Sequence, residues 1–117
     1  MITASQFFGK LFQSRDITHL SHLRTKSYAV HKALDTYYND LLDLIDTLVE
    51  SYQGNYQLIN IKIESSIATL DPVSHLTELR SYIDTNRVIF KESYLQNVVD
   101  EVQQLINQTL YKLVNLK

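Results

Sequence analysis

The sequence predicts an all-α fold, a single four-helix bundle with an unusually long connection between its second and third helices. Three observations carry that expectation. Two Gly and one Pro interrupt 117 residues that are 44% hydrophobic, a composition that favours long helices over a turn-rich β fold. Apolar residues recur at helical spacing in four separate stretches. The interval between the second and third stretch is much longer than the short loops of an up-down-up-down bundle. The length suits one domain, 1–117, with one core.

The first helix is expected at roughly 4–26. Thr3-Ala4-Ser5-Gln6 reads as a capping box, with Thr3 as N-cap and Gln6 reaching back. Phe7, Phe8, Leu11, Phe12, Ile17, Leu20 and Leu23 follow near helical spacing. Ser27 caps a second helix, roughly 28–53, whose stripe is Val30, Leu34, Tyr37, Leu41, Leu44, Ile45 and Leu48, with Gly54 as a left-handed stop. Between 55 and 70 the residues Tyr56, Leu58, Ile59, Ile61 and Ile63 partly alternate, as in a strand. A lone strand has no pairing partner, so the segment is expected to be a crossover. Asp71-Pro72 restarts a helix, with Asp as N-cap and Pro at the first helical position. This third helix runs to about Phe90 on Leu76, Leu79 and Ile83. Ser93 is expected to cap the fourth, roughly 93–115, whose Leu95, Val98, Val99, Val102, Leu105, Ile106, Leu110 and Leu113 sustain a narrow apolar seam. A parallel second and third helix joined by a crossover is the ferritin-like topology.

Charge and cysteine narrow the function classes. Eleven basic and 13 acidic residues give a net charge of −2, which argues against a polyanion-seeking surface. DNA binding is therefore expected to be weak or absent. Without cysteine there is no disulfide scaffold and no thiolate chemistry. Residues 1–10 show no secretory leader pattern, and no apolar run is long enough to span a bilayer. The expectation is a cytoplasmic protein.

His19, His31, Asp35, Asp46 and Glu50 are the candidate metal residues, since imidazole and carboxylate both suit iron. On the second helix His31 and Asp35 are four apart, and so are Asp46 and Glu50, so each pair shares a face. Taking His31 as zero, the four fall at about 0°, 40°, 60° and 100° around the helix. Leu42 and Val49 lie in or beside that wedge, so the carboxylates are expected to be half-buried. Asp35 and Asp46 are separated by about 16 Å along the axis. Metal–ligand bonds of about 2–2.2 Å cannot bridge that gap. Two copies of the helix packed antiparallel across a two-fold axis would complete two sites. Two Glu-x-x-His motifs, which an intrachain di-iron site needs, are absent from the sequence. Asp40 and Asp43 fall outside the wedge and read as solvated. His22 reads as surface, His75 as structural, and Arg15, Arg24, Lys26 and Lys32 as exposed.

The spacing His19-x11-His31-x3-Asp35-x10-Asp46-x3-Glu50 resembles the intersubunit ferroxidase signature of the Dps-like mini-ferritins. Tyr28-Ala29-Val30-His31 and the run from Leu42 to Glu50 carry the closest likeness. The resemblance implies iron(II), with zinc or manganese as alternative occupants, oxidised by peroxide or dioxygen. His19, His31 and Asp35 would come from one subunit and Asp46 and Glu50 from its mate. Asp46, Glu50 and His31 would be the catalytic residues of this ferroxidase-type activity. The assembly would be a homo-oligomer, at least a dimer with antiparallel second helices. Short ferritin-like chains also occur in tailed phages. Leu20 replaces the family's Trp, and Arg24 and Lys26 stand in a run that replaces its glycine. Those departures support a second reading, a non-catalytic bundle that acts as a protein–protein interaction module, such as a phage protein binding a host factor.

Overall fold

The computed structural model describes residues 1–64 and 71–117. Among them are four α-helices and no strand: α1, Ala4–Arg24; α2, Tyr28–Asn55; α3, Pro72–Asn86; and α4, Ser93–Asn115. A 3₁₀ turn, Arg87–Ile89, follows α3.

The helix starts follow local chemistry. Thr3 accepts from the Gln6 amide while the Gln6 side chain accepts from the Thr3 amide, so the capping box closes. Ser27 caps α2 through the Val30 amide, and Asp71 caps α3 ahead of Pro72. Three expected boundaries differ. Gly54 is not a left-handed stop, because no glycine has positive φ. Instead α2 runs one residue past it and ends where the Tyr56 amide donates to the Tyr52 carbonyl. Ser93 is the first residue of α4 and not its cap. Glu92 holds the cap position without a side-chain bond, its carboxylate being engaged by the Tyr56 hydroxyl. α3 stops at Asn86, four residues short of Phe90. There the Gln96 amide donates to the Arg87 and Phe90 carbonyls, holding the chain in its tighter turn.

Side-chain pairings give the helix directions. Ser14 meets His75 and Phe7 meets Tyr82, so α1 and α3 run antiparallel. Arg80 reaches Asn107 and Arg87 reaches Asp100, so α3 and α4 are antiparallel. Tyr56, just past the end of α2, bonds Glu92 at the start of α4, so those two oppose as well. The core runs between them on Leu41, Ile45, Leu48, Leu76, Leu79, Ile83, Leu95, Val99, Val102 and Ile106. At one end it is closed by aromatic rings: Phe90 meets Phe7 edge-on at 4.9 Å and stacks on Phe8 at 5.8 Å. Such pairs add to the area they bury.

Residues 57–64 form neither helix nor strand. Ile59 and Ile61 pack against the core, whereas Leu58 is 83% exposed. The alternation seen in the sequence is thus used to lay a strap along α1. The Ser5 hydroxyl donates to the Asn60 carbonyl, and the Gln53 side chain accepts from the Ile59 amide. The last part of the expected crossover, 65–70, lies outside the described residues.

The strap passes so close to α1 that a Cβ on Gly9 would collide with the Lys62 carbonyl oxygen. That contact requires the strap to move. We expect Gly9→Ala to destabilise by about 1–3 kcal/mol, although alanine is the better helix former. Gly54→Ala has nothing within 4 Å of its new Cβ and should stabilise by a few tenths of a kcal/mol to about 1. Urea unfolding of both variants checks the opposite signs.

Candidate functional site

The residues able to do chemistry gather in two places, at the α1–α2 hairpin and in the core between α1, α2 and α3.

At the hairpin, His22 Nδ1 lies 2.7 Å from the His31 carbonyl oxygen, and His31 Nδ1 lies 2.9 Å from the His22 carbonyl oxygen. A carbonyl only accepts, so both Nδ1 atoms carry hydrogen and donate. The rings stack with centroids 3.7 Å apart and planes 19° from parallel. His22 O belongs to the last turn of α1, where carbonyls have no partner within the helix. His31 therefore acts as a cap for α1 delivered from α2. His19, tilted 55° from the His22 ring, stacks separately on Tyr38 with centroids 4.3 Å apart, and the Tyr38 hydroxyl donates to Asp35 Oδ1 at 3.1 Å. Asn39 also donates to that carboxylate.

The sequence placed His22 at the surface, but it is buried. Its i,i+3 spacing from His19 gave no sign of that, because the partner, His31, sits on the next helix. Of the five candidate ligands, His19, His31 and Asp35 lie on this hairpin and are each engaged by neighbours. Asp46 and Glu50 are exposed further along α2, not half-buried in the single chain. The adjoining apolar arc takes Ile45 and Leu48 inward and leaves the carboxylates outside. Among the described residues no group of three or more His, Asp or Glu side chains could hold a metal ion.

The second cluster is sealed. Ser14 Oγ lies 2.7 Å from His75 Nε2 and 2.9 Å from the Tyr37 hydroxyl. Ser14 and Tyr37 are fully buried, and His75 is 7% exposed. Burial raises the Tyr37 hydroxyl well above its ordinary range, so it stays protonated. Burial also holds His75 down at about 4, with the Lys10 charge adding to the effect. A neutral His75 accepts through Nε2, Ser14 donates to it, and Tyr37 donates to Ser14. Both hydroxyl protons then have an acceptor. Serine beside histidine suggests a nucleophile and base, but this hydroxyl is closed off from any substrate. No sequence pattern pairs Ser14, which its spacing alone would leave as one more polar residue on α1.

Fold and clusters together define a small all-helical protein whose histidines are each in contact with other groups of the chain. Residues 22–113 match a family of unknown function (DUF5856), and the chain belongs to that family. It is 32% identical over 114 residues to an uncharacterized 14.6 kDa protein of the mobD-ri intergenic region of Enterobacteria phage T4. That alignment covers 94% of this chain and 87% of the relative. No solved structure matches the chain. The Dps-like mini-ferritin resemblance is corrected by this membership. Its motif was a set of His and carboxylate spacings on an amphipathic helix, and such spacings also suit capping, stacking and a solvated face.

Two expectations follow. In the folded chain His75 titrates near 4, against 6.5 for an unperturbed side chain. The unfolded state therefore takes up the proton first as pH falls. The contribution of His75 is complete above about pH 6.5 and is lost between there and pH 4, by about 3 kcal/mol. His75→Gln should flatten that part of the stability-versus-pH curve, measured by urea unfolding. Equal slopes in the two proteins would refute it. For the hairpin, His31→Ala removes the stack and leaves the His22 carbonyl without its cap, at a cost of about 1–3 kcal/mol. Amide exchange should accelerate at residues 18–34 and stay unchanged in the middle of α4.

Proposed function

We propose that the chain acts by binding, as a non-catalytic helical interaction module. The observation that carries this reading is the engagement of its reactive groups in structure. Ser14, Tyr37 and His75 satisfy one another out of reach of solvent, and the two hairpin imidazoles are each tied to a backbone carbonyl. Catalytic groups need access to a substrate and a geometry open to it. The hairpin, in contrast, exposes apolar side chains on a pre-formed scaffold. No helix among the described residues is long and apolar enough to cross a membrane.

The finer topology adopted here is ferritin-like, two antiparallel pairs with a crossover between α2 and α3. The helix directions support it, and the strap along α1 supplies the described part of the link. The relative encoded by a phage supports a protein target as the class of partner, including a host protein if this chain too is phage-encoded. Self-association through α2 is compatible with the same role: the exposed face of that helix carries Lys32 near one end and Asp46 and Glu50 near the other.

A partner recovered by crosslinking and rebuilt with the chain from purified components should co-elute as a complex of fixed stoichiometry, measured by light scattering. Iron(II) oxidation by the purified chain above the buffer rate, abolished by Asp46→Ala plus Glu50→Ala, would overturn the reading.

A further inference from the structure

Among the described residues the hairpin tip extends beyond the start of α3. His75 is level with Ser14, so α3, which begins at Pro72, starts about level with residue 17 of α1. The last two turns of α1 and the facing start of α2 extend beyond it by about 10 Å. Within 17–35 the chain carries Arg24, Lys26 and Lys32 against one acid, Asp35, whose carboxylate Tyr38 and Asn39 engage. With the whole chain at −2 and this tip at +2, the remainder carries −4. All three cations are exposed. The ion pairs among the described residues, Arg15–Asp16 and Arg87–Asp100, involve none of them.

Apolar surface accompanies the charge. Leu20 and Leu23 share a face of α1 with Arg24, and are 39% and 65% exposed. Tyr28 is 75% exposed, one turn before Lys32 on α2. Each helix end therefore shows the same combination, an uncovered apolar side chain next to an unpaired cation. The reciprocal histidine bonds hold the two ends in one geometry, so binding would lose little entropy in ordering them.

The geometry points to the hairpin tip as a docking surface for an acidic protein segment that carries apolar side chains between its carboxylates. This inference rests on the interaction-module reading and names its surface and partner chemistry. Three cations are too few for the counterion release that drives tight nucleic-acid binding. Two leucines and a tyrosine bury too little to anchor a helix in a bilayer. A protein segment uses both halves of the surface, apolar contact for affinity and opposite charge for steering and register.

The test uses the full chain and a fluorescent synthetic helical peptide with Glu on one face and Leu on the next. Anisotropy should show saturable binding that weakens with added salt. Arg24→Glu/Lys26→Glu/Lys32→Glu should weaken it at least tenfold, and so should Leu23→Ser. Glu78→Lys, on exposed α3 surface, should leave it unchanged. Affinity equal in all variants would overturn the proposal. So would tighter binding of phosphatidylglycerol vesicles or of a single-stranded oligonucleotide than of the peptide. If a natural partner binds the parent and the tip variants alike, the tip assignment falls and the module reading stands. If no partner forms a defined complex, the module reading itself fails.

Discussion

His22 and His31 exchange hydrogen bonds across the α1–α2 hairpin, each imidazole donating to the other's carbonyl while the rings lie face to face. The mutual arrangement of the hairpin's two helix ends depends on that exchange. The continuous apolar core stops short of the tip: Ile17, Ala33 and Leu34 are buried there but lie outside the main cluster. In their place two aromatic heterocycles fill space and satisfy backbone at once. An imidazole suits this position because its flat ring packs like a hydrophobe and its Nδ1–H reaches a carbonyl that the helix end leaves bare.

The same economy governs the core between α1, α2 and α3. Three polar side chains there form a chain in which Tyr37 donates to Ser14 and Ser14 to His75, and the low dielectric that makes such a chain strong also keeps His75 neutral. Elsewhere backbone proximity is the limiting quantity. The strap of residues 57–64 lies against α1 only because Gly9 has no side chain to hold it off. Histidine, serine and glycine, which in a sequence suggest catalysis or flexibility, here serve packing.

That explains why the metal-site reading of the sequence carried so far and then failed as a family assignment. Helical spacing places His31 near Asp35, and Asp46 near Glu50, in any α-helix, whatever those side chains do. Their use is set by what lies opposite. Opposite His31 is His22 on α1, whereas Asp35 is engaged on its own helix by the Tyr38 hydroxyl and the Asn39 amide. Asp46 and Glu50 face outward on the single chain. Membership of a family with a phage relative then replaces the mini-ferritin likeness.

Local signals in the sequence determined the helical class, the caps at Thr3, Ser27 and Asp71, and most of the core, because capping and 3.6-residue periodicity act over a few residues. They also held the alternation of residues 57–64, although not what it packs against. The partners of Ser14, His22, His31 and Gly9 lie 9 to 61 positions away along the chain. Only the tertiary structure decided those pairings, since a hydrogen bond between helices depends on how the helices are docked and no spacing within one helix encodes it.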